Sequence, residues 1–359
     1  MSQEGFFPII EFKNMTDKIT ITKPDDWHLH LRDHQGMSSV VKDSARYFNR
    51  ALVMPNLATP VVTVEQAAAY KQRILSALPS DSTFEPLMTL YLTANTAPAE
   101  IIRAKESGFI FAIKLFPAGA TTNSSAGIQS LDQCTAVFET MQKIGMPLSV
   151  HGEVTDVEID IFDREKVFIE RVLDALIRRF PGMKIIMEHL TTKEAVHYVE
   201  EASQNLAATI TPHHLLLNRN DLLVGGIKPH YYCLPIVKGK KHQEVIIKAA
   251  TSGNPKFFLG TDSAPHPQSA KETAQGSAGI YSAFLALPLY AEIFEAADKL
   301  DKLEGFSSHF GADFYGVRRN KQTITLIKSD FEIPEKLNFG EESLIPLKAG
   351  ETISWRLKE

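Results

Sequence analysis

Short apolar runs of strand length alternate along this chain with longer segments whose apolar positions recur every three or four residues. The runs fall at 25–32, 51–54, 87–92, 109–116, 147–150, 184–187, 206–211 and 257–260. Between and after them, helical periodicity predicts helices over 37–48, 64–78, 98–107, 131–144, 163–180, 192–203, 241–251 and 282–299. Strands alternating with helices imply parallel βα units. Eight such units in 359 residues predict an α/β chain closed into a (β/α)8 TIM barrel. No glycine-rich nucleotide fingerprint follows any strand, which weakens the doubly wound alternative. No low-complexity linker divides the chain, so a single domain over 1–359 is expected. Residues 1–17 read as an N-terminal extension with an edge strand at 9–12. Residues from about 300 to 359 read as short elements packed on the barrel, among them a strand at 323–327.

Composition narrows the class. Hydrophobic residues make up 44% and charged residues 23%, a soluble globular balance. The net charge is −5 and no long basic run occurs, which argues against nucleic acid as a partner. The two cysteines, Cys134 and Cys233, exclude a disulfide scaffold and fit a reducing cytoplasm. Cys134 shares a helical face with Leu131, Val137, Phe138, Met141 and Ile144, so it reads as core. The opening residues lack the basic-then-apolar run of a signal peptide. The best apolar stretch, 281–294, is too short to span a bilayer and contains Pro288. A cytoplasmic protein with no membrane contact is expected.

Candidate chemistry then collects at the strand ends. In Trp27-His-Leu-His-Leu-Arg32 the two histidines are two residues apart and project from one strand face, with Arg32 continuing it. Alone, a His-x-His is more often a hydrogen-bonded surface pair than a metal site. But Lys114 lies near the end of the fourth strand, His151 ends the fifth, His189 the sixth and Asp262 the eighth. In a barrel these ends share one rim, where functional residues sit. Four histidines and an aspartate exceed the needs of one tetrahedral ion, so a binuclear site is expected. Lys114 as an ammonium would repel the ions. Burial favours its neutral amine, which can add CO2 to form a carbamate able to bridge two metals.

This constellation resembles the amidohydrolase superfamily. Within it, Asp26-Trp-His-Leu-His-Leu-Arg-Asp33, Met54-Pro-Asn-Leu57, Lys114-Leu-Phe-Pro117, Ala120-Thr-Thr-Asn-Ser-Ser125, His151-Gly-Glu153, Glu188-His-Leu-Thr-Thr192, Thr211-Pro-His-His-Leu215 and Gly260-Thr-Asp-Ser-Ala-Pro-His266 resemble the short bacterial, homodimeric dihydroorotases. The resemblance runs from about residue 18 to the end.

It implies a reversible, zinc-dependent cyclisation of N-carbamoyl-L-aspartate to L-dihydroorotate, a step of pyrimidine synthesis. It implies two zinc ions per subunit: His28, His30 and Asp262 on the more buried ion, His151 and His189 on the other. Carboxylated Lys114 and a hydroxide would bridge them. The hydroxide would be the nucleophile, with Asp262 the general base and then acid. Arg32, Asn56 and His266 would bind the substrate carboxylate, and the backbone of Leu234 and Ala278 the ring. Arg32 suits that role independently, since a guanidinium grips a carboxylate in a bidentate fork. The small, polar segment 117–127 reads as a mobile loop, and the resemblance makes Thr121 and Thr122 its substrate-reaching hydroxyls. Two rival readings stay open. A hydantoinase or dihydropyrimidinase shares the ligand set but not the need for Arg32, Asn56 and His266. A non-catalytic scaffold on the same barrel would be expected to have lost ligands.

Overall fold

The computed structural model describes residues 17–33 and 35–358; the strand expected at 9–12 lies outside them. Eight parallel strands form one sheet in sequence order: β2 (Asp25–Leu29), β3 (Arg50–Val53), β4 (Glu85–Tyr91), β5 (Ile110–Leu115), β6 (Leu148–Val150), β7 (Ile185–Met187), β8 (Leu206–Ile210) and β9 (Phe257–Leu259). A parallel bridge from Leu29 to Ser263 joins the last strand back to the first. The bonds Asp262 N to His28 O (2.8 Å) and His30 N to Ser263 O (3.1 Å) reinforce it. The barrel therefore closes at the rim where the expected ligands lie.

Strand alternation sorts the side chains into two sets. Val53, Ile113, Val150, Met187 and Ile210 face the helical layer and join the main core. Leu52, Leu87, Ala112, Ile186, Ala207 and Phe258 face inward and form a separate apolar cluster at the amino end of the barrel. Trp27 belongs to this inner cluster, although Leu29 packs outside. The register of β2 against β3 shifts between Asp26 and Leu29, the extra residue of a β-bulge, which re-aims a side chain. Trp27 stacks on Tyr315, ring centroids 4.4 Å apart. The helix Phe310–Tyr315 thus plugs the barrel floor. Gly311 makes that possible, because a Cβ there would run into the Trp27 indole.

The predicted helices form, with local differences. The segment expected as one helix over 163–180 carries a wide turn, Ile169–Leu173, between Arg164–Phe168 and Asp174–Arg179. The helix expected over 282–299 is Ala286–Ala296, preceded by a tight turn at Ala283–Leu285. Pro288 stands in its first turn, where a missing N–H leaves no helical bond unmade. Short helices at Pro212–Leu216 and Arg219–Leu223 had no periodicity long enough to predict them. Cys134 is buried, its thiol 3.8 Å from Thr93 O.

The ends of the described chain meet. β1 (Lys18–Thr22) pairs antiparallel with β10 (Thr323–Glu332), which pairs with β13 (Thr352–Leu357). β11 (Leu337–Phe339) and β12 (Glu342–Leu344) form a hairpin between them. This sheet rests on the helix Ala286–Ala296. Glu292 accepts from Ser354 N (2.6 Å), and Glu295 from the Trp355 indole (3.0 Å). The C-terminal elements thus brace the barrel's outer layer.

Filling the contact between floor helix and barrel should be costly. Gly311→Ala is expected to lower stability by about 1–3 kcal/mol through overpacking against Trp27, read as a reduced urea midpoint at unchanged m-value.

Candidate active site

Two residues above the apolar floor, the inward positions turn polar. They are Thr89, Lys114, Ser149, Glu188 and Thr209, each buried. One further step brings His151 above Ser149. Gly260 occupies the corresponding position after β9, where a Cβ would collide with Thr209 and crowd His28. The missing side chain leaves room for the imidazole.

Glu188 organises this layer. Its carboxylate accepts from Ser149 Oγ (2.5 Å) and Thr209 Oγ1 (2.6 Å). It stands 2.8 Å from His28 Nδ1. Burial pushes its pKa up, but the charges of His28 and Lys114 and these bonds hold it below the usual range. A carboxylate on Nδ1 leaves Nε2 as the ligand atom of His28. His28 Nε2 lies 3.5 Å, and His30 Nε2 3.0 Å, from Asp262 Oδ1. The ligand atoms of His28, His30 and Asp262 all fall within 4.8 Å of one another. Asp26 braces the same strand end, accepting from His28 N (3.1 Å), Thr261 N (2.8 Å) and Thr261 Oγ1 (2.5 Å).

His151 and His189 stand beside this group. Their ring centroids are 4.8 Å apart, and His189 is 4.9 Å from His28. His151 Nε2 contacts Glu153 Oε2 at 2.8 Å, which leaves Nδ1 to bind. Burial lowers the pKa of His28, and more strongly those of His30 and His189. Neutral imidazole is the ligating form. Burial raises the Asp262 carboxyl against the pull of His28. His189 and Asp262 have φ of 40° and 44°, a strained region for non-glycine residues that clusters at functional sites.

Lys114 is wholly buried, and its Nζ has no hydrogen-bond partner among the described residues. Burial pushes its pKa down to about 8. The Nδ1 of His189 is likewise buried without a partner. Unpaired buried polar atoms are costly. Their convergence with His28, His30, His151 and Asp262 fits a site for bound metal. A second group, His213, His214 and Cys233, also has its ligand atoms within 4.8 Å. There His214 is already engaged, by Thr211 Oγ1 at 2.8 Å and Pro235 O at 2.9 Å.

The predicted substrate residues gather over the same spot. Arg32, Asn56, Thr121, Thr122, Leu234 and Ala278 line one enclosed cavity with His28, His30, His151, His189 and Asp262. His266 stands behind Arg32, its Nε2 2.8 Å from Arg32 Nη2 and 3.0 Å from Ala278 O. The segment expected as a mobile loop is folded down. Asn56 Nδ2 donates to Thr122 O (3.0 Å), Asn123 Nδ2 to Asn56 O (3.1 Å) and Thr122 Oγ1 to Ala278 O (3.2 Å). The cavity left beneath is about 20 Å³, room for little more than one water. A larger ligand needs the residues that cover the cavity to move.

Sequence reasoning assigned no role to Glu188, Asp26, Ser149 or Thr209. Glu188 had a usable signal: it is the inward position two residues after Ile186, where an apolar residue would otherwise be expected.

A parallel eight-stranded barrel with this histidine, lysine and aspartate set at its carboxyl rim defines the amidohydrolase class. No family model matches the chain. It is 59% identical over 345 residues to a dihydroorotase of Nitrosomonas eutropha, covering 96% of this chain and all of the relative. Among solved structures, the dihydroorotase of Campylobacter jejuni superposes with a TM-score of 0.89 at 36% identity, covering 97% of this chain and 99% of that one. A Saccharomyces cerevisiae dihydroorotase in complex with 5-fluoroorotic acid superposes with a TM-score of 0.89 at 33% identity, covering 96% and 99%. The chain belongs to the dihydroorotase family.

Removing the charge that orients His28 should weaken metal binding without removing a ligand. Glu188→Gln is expected to cost about 10–100-fold in metal affinity, measured by equilibrium dialysis against a competing chelator.

Proposed function

We propose that this chain is a dihydroorotase, interconverting N-carbamoyl-L-aspartate and L-dihydroorotate with release or uptake of water. One observation carries the reading: His28, His30, His151, His189 and Asp262 line a single cavity with Arg32. That pairs a site for amide chemistry with a cation for a remote carboxylate. A scaffold that had abandoned catalysis has no need to retain six ligand positions on five strand ends. A hydantoinase has no use for a half-buried guanidinium beside Asn56 and His266. The yeast relative's complex with a carboxylated pyrimidine supports the same substrate class.

His28, His30 and Asp262 would hold one zinc ion, and His151 and His189 the second. Lys114 would bridge them as a carbamate, since its depressed pKa supplies the neutral amine that adds CO2. When bound, such a pair supplies Lewis acidity and a nucleophilic water at neutral pH. The chain's own residues do the rest. Arg32, with burial lowering its pKa to about 10, stays cationic and forks onto the substrate carboxylate. Asn56 and His266 complete that pocket, and the Leu234 and Ala278 backbone positions the ring. Thr121 and Thr122 close over it and exclude water. Asp262 takes the proton released as the amide is hydrated and delivers it to the ring nitrogen. Cyclisation runs the same transfers backwards. No described helix is long and apolar enough to cross a membrane. The chain acts as one catalytic unit and pairs into a homodimer, for which light scattering should give twice the 40.0 kDa chain mass.

Chelation is expected to abolish L-dihydroorotate hydrolysis, and zinc to restore it. Lys114→Ala and Asp262→Ala should each lower kcat by about 10²–10⁴-fold; full activity in either would overturn the mechanism. Faster turnover of hydantoin or dihydrouracil than of dihydroorotate would overturn the substrate class. Metal reloading of apoprotein should accelerate with dissolved CO2 and, at fixed CO2, more so as pH rises through about 8, because the neutral Lys114 amine grows there. A CO2-independent rate would count against the carbamate.

A further inference from the structure

Arg32 sits at φ 61°, in the left-handed region, three residues past the end of β2. Two side chains from one face of the helix Val64–Ala77 hold that turn. Tyr70, wholly buried, donates its hydroxyl to Arg32 O at 2.7 Å. Arg73 forks onto the next residue: Nε to Asp33 Oδ1 at 3.0 Å and Nη2 to Asp33 Oδ2 at 2.9 Å. The Arg73 guanidinium also lies over the Tyr70 ring, 5.3 Å from its centroid. The two anchors therefore brace each other. Arg32 itself contacts neutral acceptors, Pro265 O at 3.1 Å from Nε and His266 Nε2 at 2.8 Å from Nη2. An open groove lined by Arg32, Asp33, Arg73 and His266 adjoins the closed cavity.

This arrangement addresses a problem built into the sequence. A carboxylate, Asp33, follows directly on the guanidinium that must bind the carboxylate of the substrate. Released by Arg73, Asp33 would compete with the substrate from within the chain, at high effective concentration. A bidentate guanidinium fork is the strongest side-chain partner for a carboxylate, and Arg73 supplies it. We propose that Arg73 is a positioning residue for substrate recognition: it sequesters Asp33, so that Arg32 is not neutralised within the chain. Tyr70 fixes the strained carbonyl that aims Arg32 into the cavity. The proposal rests on the reading of Arg32 as the carboxylate-binding group.

The test is steady-state hydrolysis of L-dihydroorotate by zinc-loaded enzyme. Arg73 is half-exposed, so its truncation leaves the core intact. Arg73→Ala should raise KM about tenfold while kcat stays within about twofold, with metal content unchanged. Adding Asp33→Asn to that variant removes the competitor and should bring KM back to within about threefold of the original. A merely structural role for the ion pair predicts no such rescue. An unchanged KM in Arg73→Ala, or a double variant no better than the single one, overturns the proposal. Arg32→Ala, run in parallel, separates the two claims. If it leaves KM unaltered, the reading of Arg32 fails. If it raises KM while Asp33→Asn rescues nothing, only the role of Arg73 falls.

Discussion

A layer of polar side chains buried inside the barrel carries everything at its rim. Glu188 is its centre, and an ionised carboxylate in that position is tolerable only because Ser149, Thr209 and His28 surround it. An apolar residue there would pack at least as well. It would leave His28 without the partner that selects its tautomer, and the ring would lose its fixed direction. Gly260 belongs to the same arrangement, because any side chain there would displace His28 or Thr209. The barrel gives up part of its hydrophobic interior to fix the direction of these side chains.

Backbone strain is placed on the same rim. His189, Asp262 and Arg32 all have positive φ, at a cost of about 1–3 kcal/mol each. Each is tied by a bond that crosses to another element. His189 N donates to Thr209 Oγ1 at 2.8 Å, Asp262 N to His28 O at 2.8 Å, and Tyr70 to Arg32 O at 2.7 Å. The strained residues turn their side chains out of the strand path and into the cavity. The well-packed barrel holds them there.

The loop over the cavity obeys the opposite logic. Its contacts run through a few polar atoms of Asn56, Thr122 and Asn123. Such contacts can be exchanged for contacts to a ligand at little net cost. A rigid rim under a detachable cover suits a reaction that must exclude water yet admit a substrate larger than the closed space.

The strands, their order and the rim their polar ends share were legible in the sequence. Alternation fixes which face of a strand each residue takes, and barrel topology sends every strand end to one rim. That is why His28, His30, Lys114, His151, His189 and Asp262 could be named together before any coordinates. The partners behind them could not. Ser149 and Thr209 meet Glu188 across 39 and 21 residues of sequence. β1 meets β10 some three hundred residues downstream. The segment 117–127 read as a mobile loop because its small polar residues carry no sign of what they would touch. Local pattern encodes the direction in which a side chain points. What it points at is decided by register and curvature, which exist only once the barrel has closed.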